Sequence, residues 1–219
     1  MTVLCGGPGL YVRAVIDSYD FAPGEQVDNP VREQYTLYAE EHGAQALWEL
    51  LRSRDPRSAE VLHPNNVRRV VRAFEMLSEG TCYADQVEQL HSISQALPAY
   101  LYGLAVTPDI LAQRIENRVD DMVEHGLLEE VEGLLKRGFR EGVTAPQAIG
   151  YKEIVPVLED GASLEEALQQ IKTSTRRYAK RQRTWFKKDD RIQWLDADEY
   201  DVQCLAEALV QNYRLRLNS

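Results

Sequence analysis

The chain has 219 residues, 44% hydrophobic and 27% charged, with a formal net charge of −10 at neutral pH. That composition fits an ordinary globular protein of one or two domains, and with no run of about 18 apolar residues and no charged-then-apolar leader, neither a membrane-spanning helix nor a signal peptide is indicated. A cytoplasmic protein is expected, and its cysteines (Cys5, Cys82 and Cys204), odd in number and widely spaced, are expected to be buried reduced thiols rather than a disulfide framework or zinc ribbon.

The chain opens MTVLCGGPGLYVRAVID. The apolar run Thr2 to Cys5 predicts a strand, followed by a Gly-rich turn and a helical pattern through Leu10, Val12, Val15 and Ile16, the strand-turn-helix unit of an α/β protein. GGPG is not a Walker A loop, which needs GxxxxGK[ST], and that string is absent from the chain. From Asp20 to Leu97 the pattern is helical, with breaks at Pro23 and Gly24, Gly43, Asp55 and Pro56, Pro64, and Gly80. An inserted helical domain over 21–97 is expected, with 1–20 and 98–219 forming the α/β core. Inside the insertion, Asn65 and Asn66 can cap a helix VRRVVRAFEML that turns Val67, Val70, Val71, Phe74 and Leu77 inward and Arg68, Arg69 and Arg72 outward. Arginine forks at a helix start suit phosphate; salt bridges to neighbouring acids are an equal reading. His63 in HPNN reads as a turn residue.

In AYLYGLAVTPDILAQRIENRVDDM a strand ends at Thr107, and Pro108 takes the first position of a helix. Ile115, Val119, Met122 and Val123 form the buried stripe of that helix, with Arg114 and Arg118 beside it. Further on, Ser163 and Glu166 have capping-box spacing, and Leu164, Leu168, Ile171, Thr175, Tyr178 and Trp185 trace one long amphipathic helix. A third strand, Ile192 to Leu195, and a last helix near Leu205, Leu209 and Tyr213 complete the chain. Three strands separated by helices imply a parallel sheet that binds ligands at its carboxyl ends, where the GGPG turn and Arg114/Arg118 would face one crevice.

The long helix holds the main charge anomaly. The stretch TRRYAKRQRTWFKK, Thr175 to Lys188, carries seven of the 25 basic residues and no acid, leaving 18 basic against 35 acidic residues elsewhere. At about 100° per residue Arg176, Lys180, Arg183 and Lys187 share one arc, with Arg177, Arg181 and Lys188 on the other flank. Stacked like charges repel unless an anion covers them, so a polyanion-binding face is favoured over a solvated one.

The strings CGGPGLYVRAVID, DPRSAEVLHPNNVRRVVRAFEML, RIENRVDDMVEHGLLEEVEGLL, QAIGYKE and TRRYAKRQRTWFKK, in that order, resemble the tRNA dimethylallyltransferases, also called tRNA isopentenyltransferases. The resemblance covers nearly all of the chain. It implies a P-loop-NTPase-like α/β core, N-terminally truncated here, with an inserted helical domain. It also implies transfer of a dimethylallyl group from dimethylallyl diphosphate to the exocyclic amine of the adenosine 3′ of the anticodon, with Mg²⁺ as cofactor and the anticodon stem-loop of tRNA as partner, in a monomeric protein. Carried over residue by residue, Arg32, Arg68, Arg69, Arg72, Gln147, Gly150, Tyr151, Lys152, Arg176, Lys180, Arg181, Gln182, Arg183 and Lys187 match tRNA-contacting positions. Arg118 and Arg114 match arginines near the diphosphate, and Gly6, Gly7 and Pro8 line the substrate channel. Trp185 is expected to pack rather than to stack on a base, and Tyr151 to do either. Two departures stand out: Pro8 replaces a family threonine whose hydroxyl points into the channel, and the family's P-loop and general-base aspartate have no counterpart here. A non-catalytic RNA-binding remnant is the alternative; a P-loop kinase relative would leave the basic helix idle.

Overall fold

The computed structural model describes residues 2–19, 29–92, 94–142, 144–198 and 200–217. The breaks expected at Pro23 and Gly24, and the boundary expected at residues 20 and 21, lie outside the described residues. The chain divides into two compact units, Met1–Gly9 with Ala99–Ser219, and Leu10–Pro98. The division falls at the start of the first helix, α1 (Gly9–Ile16).

The Leu10–Pro98 unit is helical: α2 (Pro30–Arg54), α3 (Pro56–Glu60), α4 (Val67–Ser78) and α5 (Tyr83–Ser92) follow α1. Asn29 starts α2 by accepting the N–H groups of Val31 and Arg32, with Pro30 at the first helical position. The break expected at Gly43 is a kink within α2, with φ 86° and ψ 162°, a conformation glycine adopts without a Cβ penalty. Beyond it Leu47 and Leu51 pack fully buried against Val70, Val71 and Phe74 of α4, and Tyr35 stacks on Phe74 with centroids 3.8 Å apart. Asp55 ends α2 and caps α3, its carboxylate accepting the N–H and hydroxyl of Ser58. His63 acts within its turn, its ring accepting the Asn65 N–H at 3.2 Å.

The other unit holds a two-stranded parallel sheet among the described residues, β1 (Leu101–Ala105) and β2 (Ile192–Asp196), in register from Leu101 opposite Ile192 to Ala105 opposite Asp196. The expected strand at Thr2 to Cys5 is not formed: the segment has no ladder partner among the described residues, and Val3 and Leu4 are 72% and 55% exposed. An apolar run becomes a strand only when a neighbour takes its N–H and C=O groups. The same unit holds α6 (Pro108–Glu124), α7 (Leu127–Leu135), α8 (Tyr151–Asp160), α9 (Leu164–Phe186) and α10 (Val202–Leu217). Pro108 opens α6 as predicted, and Ile115 and Val119 join Leu127, Val131, Ile154, Ala167 and Ile171 in one core.

Ser163 caps α9, its hydroxyl oxygen accepting the Glu166 N–H at 3.3 Å. Losing this cap costs about 1 kcal/mol, and glycine there only a few tenths. Ser163→Ala is therefore expected to lower the melting temperature by about 3 °C in a circular-dichroism melt, and Ser163→Gly by clearly less. The cysteines depart from expectation. Cys5 and Cys204 are exposed, and half-buried Cys82 points its thiol at Asp55 from 3.5 Å. No described helix is long and apolar enough to cross a membrane.

Candidate functional site

Two ion pairs strap α9 antiparallel to α6: Lys172 to Asp120 at 2.6 Å and Arg176 to Glu116 at 2.9 Å. Arg176 also reaches the Thr173 hydroxyl at 3.4 Å. Its charge is therefore met from outside the helix. Beyond it, Arg177, Lys180, Arg181, Arg183, Lys187 and Lys188 are exposed, and among the described residues none has a carboxylate partner. Arg181 lies over the Tyr178 ring at 5.7 Å, which leaves its charge facing solvent. On the arc of Arg176, Lys180, Arg183 and Lys187 the unneutralised charge thus starts at Lys180, one turn later than the sequence suggests.

Gln182 and Trp185 behave differently from the cations around them. Gln182 is half-buried, and a Cβ built on Gly7 would lie 2.0 Å from its amide nitrogen. A Cβ on buried Gly9 would lie 1.9 Å from the Trp185 ring. Trp185 is nevertheless 39% exposed, so it packs by one edge and does not enter the core. The nearest side chains to Gly7 and Gly9 are thus on α9, whereas Gly6 borders open space and Pro8 is exposed.

At the carboxyl end of the sheet, Arg114 donates to the Ala197 carbonyl at 3.3 Å, one residue past β2. Asp198 accepts the Thr107 N–H at 2.8 Å, fixing the start of α6 beside it. Arg118, one turn along α6, is exposed with no ion-pair partner among the described residues. No group of three His, Cys, Asp or Glu among the described residues is arranged to hold a metal ion.

The QAIGYKE segment turns into α8. Gly150 sits at φ 101°, and its N–H donates to Glu153 at 2.9 Å. Tyr151 packs: its ring meets Phe139 edge-on at 5.7 Å, and its hydroxyl donates to Glu130 at 2.5 Å. That hydrogen bond, reinforced by burial and the carboxylate charge, pushes the phenol above the ordinary tyrosine range. Gln147 and Lys152 are exposed, Lys152 lying 3.6 Å from Glu153.

In the helical unit Arg68 and Arg69 are exposed at the start of α4 without ion-pair partners among the described residues. Arg32 and Arg72 instead converge on fully buried Glu75. Arg32 grips it through two nitrogens at 2.6 and 3.1 Å, and Arg72 through one at 2.9 Å. Burial pushes the Glu75 carboxyl up, but the hydrogen bonds and charges of the two arginines outweigh it and hold it below the ordinary glutamate range.

The family model described as IPP transferase matches residues 1–189. The chain belongs to this family. Relatives of the chain include the tRNA dimethylallyltransferase of Carboxydothermus hydrogenoformans, 41% identical over 95% of this chain and 67% of the relative, and that of Bacillus anthracis, 43% identical over 91% and 63%. Among solved structures it is similar to a tRNA isopentenylpyrophosphate transferase from Bacillus halodurans, 35% identical with a TM-score of 0.59, over 96% of this chain and 64% of the other. It is also similar to a eukaryotic dimethylallyltransferase acting on tRNA, 27% identical with a TM-score of 0.68, over 97% and 56%. The chain thus spans about two thirds of the length of the bacterial proteins it matches. The α/β class with a small parallel sheet and many helices agrees with these structures. The sequence pattern did not single out two features, the Glu75 clamp and the close approach of Gly7 and Gly9 to Gln182 and Trp185. Close-spaced glycines before a helix were the one available signal for the second.

Proposed function

We propose that this chain forms the RNA-gripping and donor-channel part of a tRNA dimethylallyltransferase. The observation that carries the reading is the run of exposed cations from Arg177 to Lys188, six basic side chains that no carboxylate neutralises among the described residues. In a protein of net charge −10 such a face calls for a polyanion, and hairpin RNA supplies a dense row of phosphates. The reaction proposed forms a bond between the exocyclic nitrogen of adenine and the allylic carbon of dimethylallyl diphosphate. The carbon–oxygen bond breaks, diphosphate leaves with the electron pair, and the amine loses a proton. The amine is a poor nucleophile because its lone pair is delocalised into the ring, so alignment and stabilisation of the leaving diphosphate dominate. Reaching it means taking the base out of its stack. Arg118 and Arg114 are the proposed partners of the leaving group, and Arg68, Arg69, Gln147 and Lys152 offer exposed polar contacts to RNA. The proposed division of labour is a core over 1–20 and 98–219 of the P-loop type, a helical insertion over 21–97, a monomer, and Mg²⁺ bound through the diphosphate.

Nucleoside analysis of an anticodon stem-loop incubated with the chain, dimethylallyl diphosphate and Mg²⁺ tests this. Prenylated adenosine is the expected product. Stem-loop binding without product would favour a second reading, a non-catalytic RNA-binding remnant. Neither binding nor product would sink both readings.

A further inference from the structure

We infer that Gln182 and Trp185 are positioning residues that seat the GGPG turn on the basic helix, so one helix both meets RNA and sets the channel backbone. This rests on the reading of GGPG as donor channel.

The geometry is a pair of alternate contacts. Gly7 and Gly9 approach α9 so closely that added Cβ atoms would fall 2.0 Å from the Gln182 amide nitrogen and 1.9 Å from the Trp185 ring, while Gly6 has nothing within 4 Å. Real Cβ atoms do not approach like that, so an added Cβ at Gly9 would run into the Trp185 ring and one at Gly7 would displace the Gln182 amide, with no need for an unusual φ at either glycine. Gly9 is buried in consequence, and Gln182 is half-buried amid exposed cations. At about 100° per residue Gln182 and Trp185 share one face, roughly opposite Lys180, Arg183 and Lys187. Pro8, between the two contacts, has no backbone N–H and a fixed φ, which stiffens the turn where its neighbours are clamped. The helix therefore has two working faces: cations on one side, and on the other a polar and an aromatic side chain that set where the channel backbone lies. Gln182, which the family resemblance groups with the RNA contacts, belongs to the second face.

The test labels the chain with 5-fluorotryptophan and follows its fluorine resonances, assigning Trp48, Trp185 and Trp194 by single Trp→Phe substitutions. Gly9→Ala is expected to shift the Trp185 resonance and leave those of Trp48 and Trp194 in place; an unmoved Trp185 resonance overturns the seat. If Gly9→Ala fails to fold, Gly7→Ala takes its place. Its loss of melting temperature is expected to be recovered when Gln182→Gly is added, and no recovery overturns the seat. For the channel, Gln182→Ala and Trp185→Leu are expected to weaken dimethylallyl diphosphate binding about tenfold, in line with the cost of small misplacements, while stem-loop affinity stays within about twofold. The reverse pattern, weakened RNA binding with unchanged donor binding, would return Gln182 to the RNA face and overturn the assignment. Should the unsubstituted chain bind neither RNA nor donor, the proposed function falls, and the fluorine measurement still decides whether Gln182 and Trp185 seat the turn.

Discussion

Arg32→Ala is expected to destabilise the helical unit by about 3 kcal/mol, the low end of the cost of removing one partner from a buried ion pair. The low end applies because Arg72 still holds one Glu75 oxygen at 2.9 Å, whereas the two bonds from Arg32 are lost. Glu75 itself is fully buried, so its carboxylate cannot turn to water for compensation. Arg32→Lys should recover only part of the loss, since a point charge cannot reproduce the two-nitrogen grip. Urea unfolding followed by circular dichroism measures this: the midpoint should fall in the order wild type, Arg32→Lys, Arg32→Ala, and equal midpoints would remove the clamp as a source of stability. The pH dependence follows in sign. A carboxyl held below its ordinary range contributes stability that is present above the unfolded-state value and is lost as pH falls through the folded-state value. The difference between wild type and Glu75→Gln should therefore be largest near neutral pH and shrink on acidification below the ordinary glutamate range. A difference that grows toward acid would contradict it.

How far the sequence revealed the molecule depends on the range of each interaction. Elements whose evidence is local were readable: α9 from its stripe and the Ser163 cap, α6 from Pro108 and the Ile115/Val119 spacing, and α4 from its valines and Phe74. Features set by a distant partner were not. Glu75 follows Phe74 on a helix whose stripe makes an acid look like a solvent position, and the arginine that draws it inside is 43 residues away. Arg176 reads as one of four stacked cations, yet its carboxylate comes from Glu116, 60 residues away on another helix. Thr2 to Cys5 has strand composition without a ladder partner among the described residues, and composition cannot supply one. The candidate site divides in the same way: the positive charge on α9 was legible, while the facing of Gln182 and Trp185 toward the glycines needed the fold.

The triple substitution Lys180→Ala, Arg183→Ala and Lys187→Ala is expected to reduce the slope of log affinity against log salt for an anticodon stem-loop by about 2.7, since each cation withdrawn from a duplex phosphate returns about 0.9. Over a change from about 50 to 200 mM salt this removes roughly a fortyfold part of the salt response. Arg176→Ala provides the internal comparison. Its guanidinium already faces Glu116 at 2.9 Å, so releasing it from RNA would free less counterion, and its slope change should be well under that of Lys180→Ala. Fluorescence anisotropy with a labelled stem-loop over a salt series separates the two cases. If Arg176→Ala and Lys180→Ala change the slope equally, the ion pair to α6 opens when RNA binds and the face extends a turn further toward the start of α9. If neither single substitution nor the triple one changes it, these cations are an ordinary solvated helix face, because a side chain that neutralises a phosphate cannot be removed without leaving its counterion condensed on the RNA.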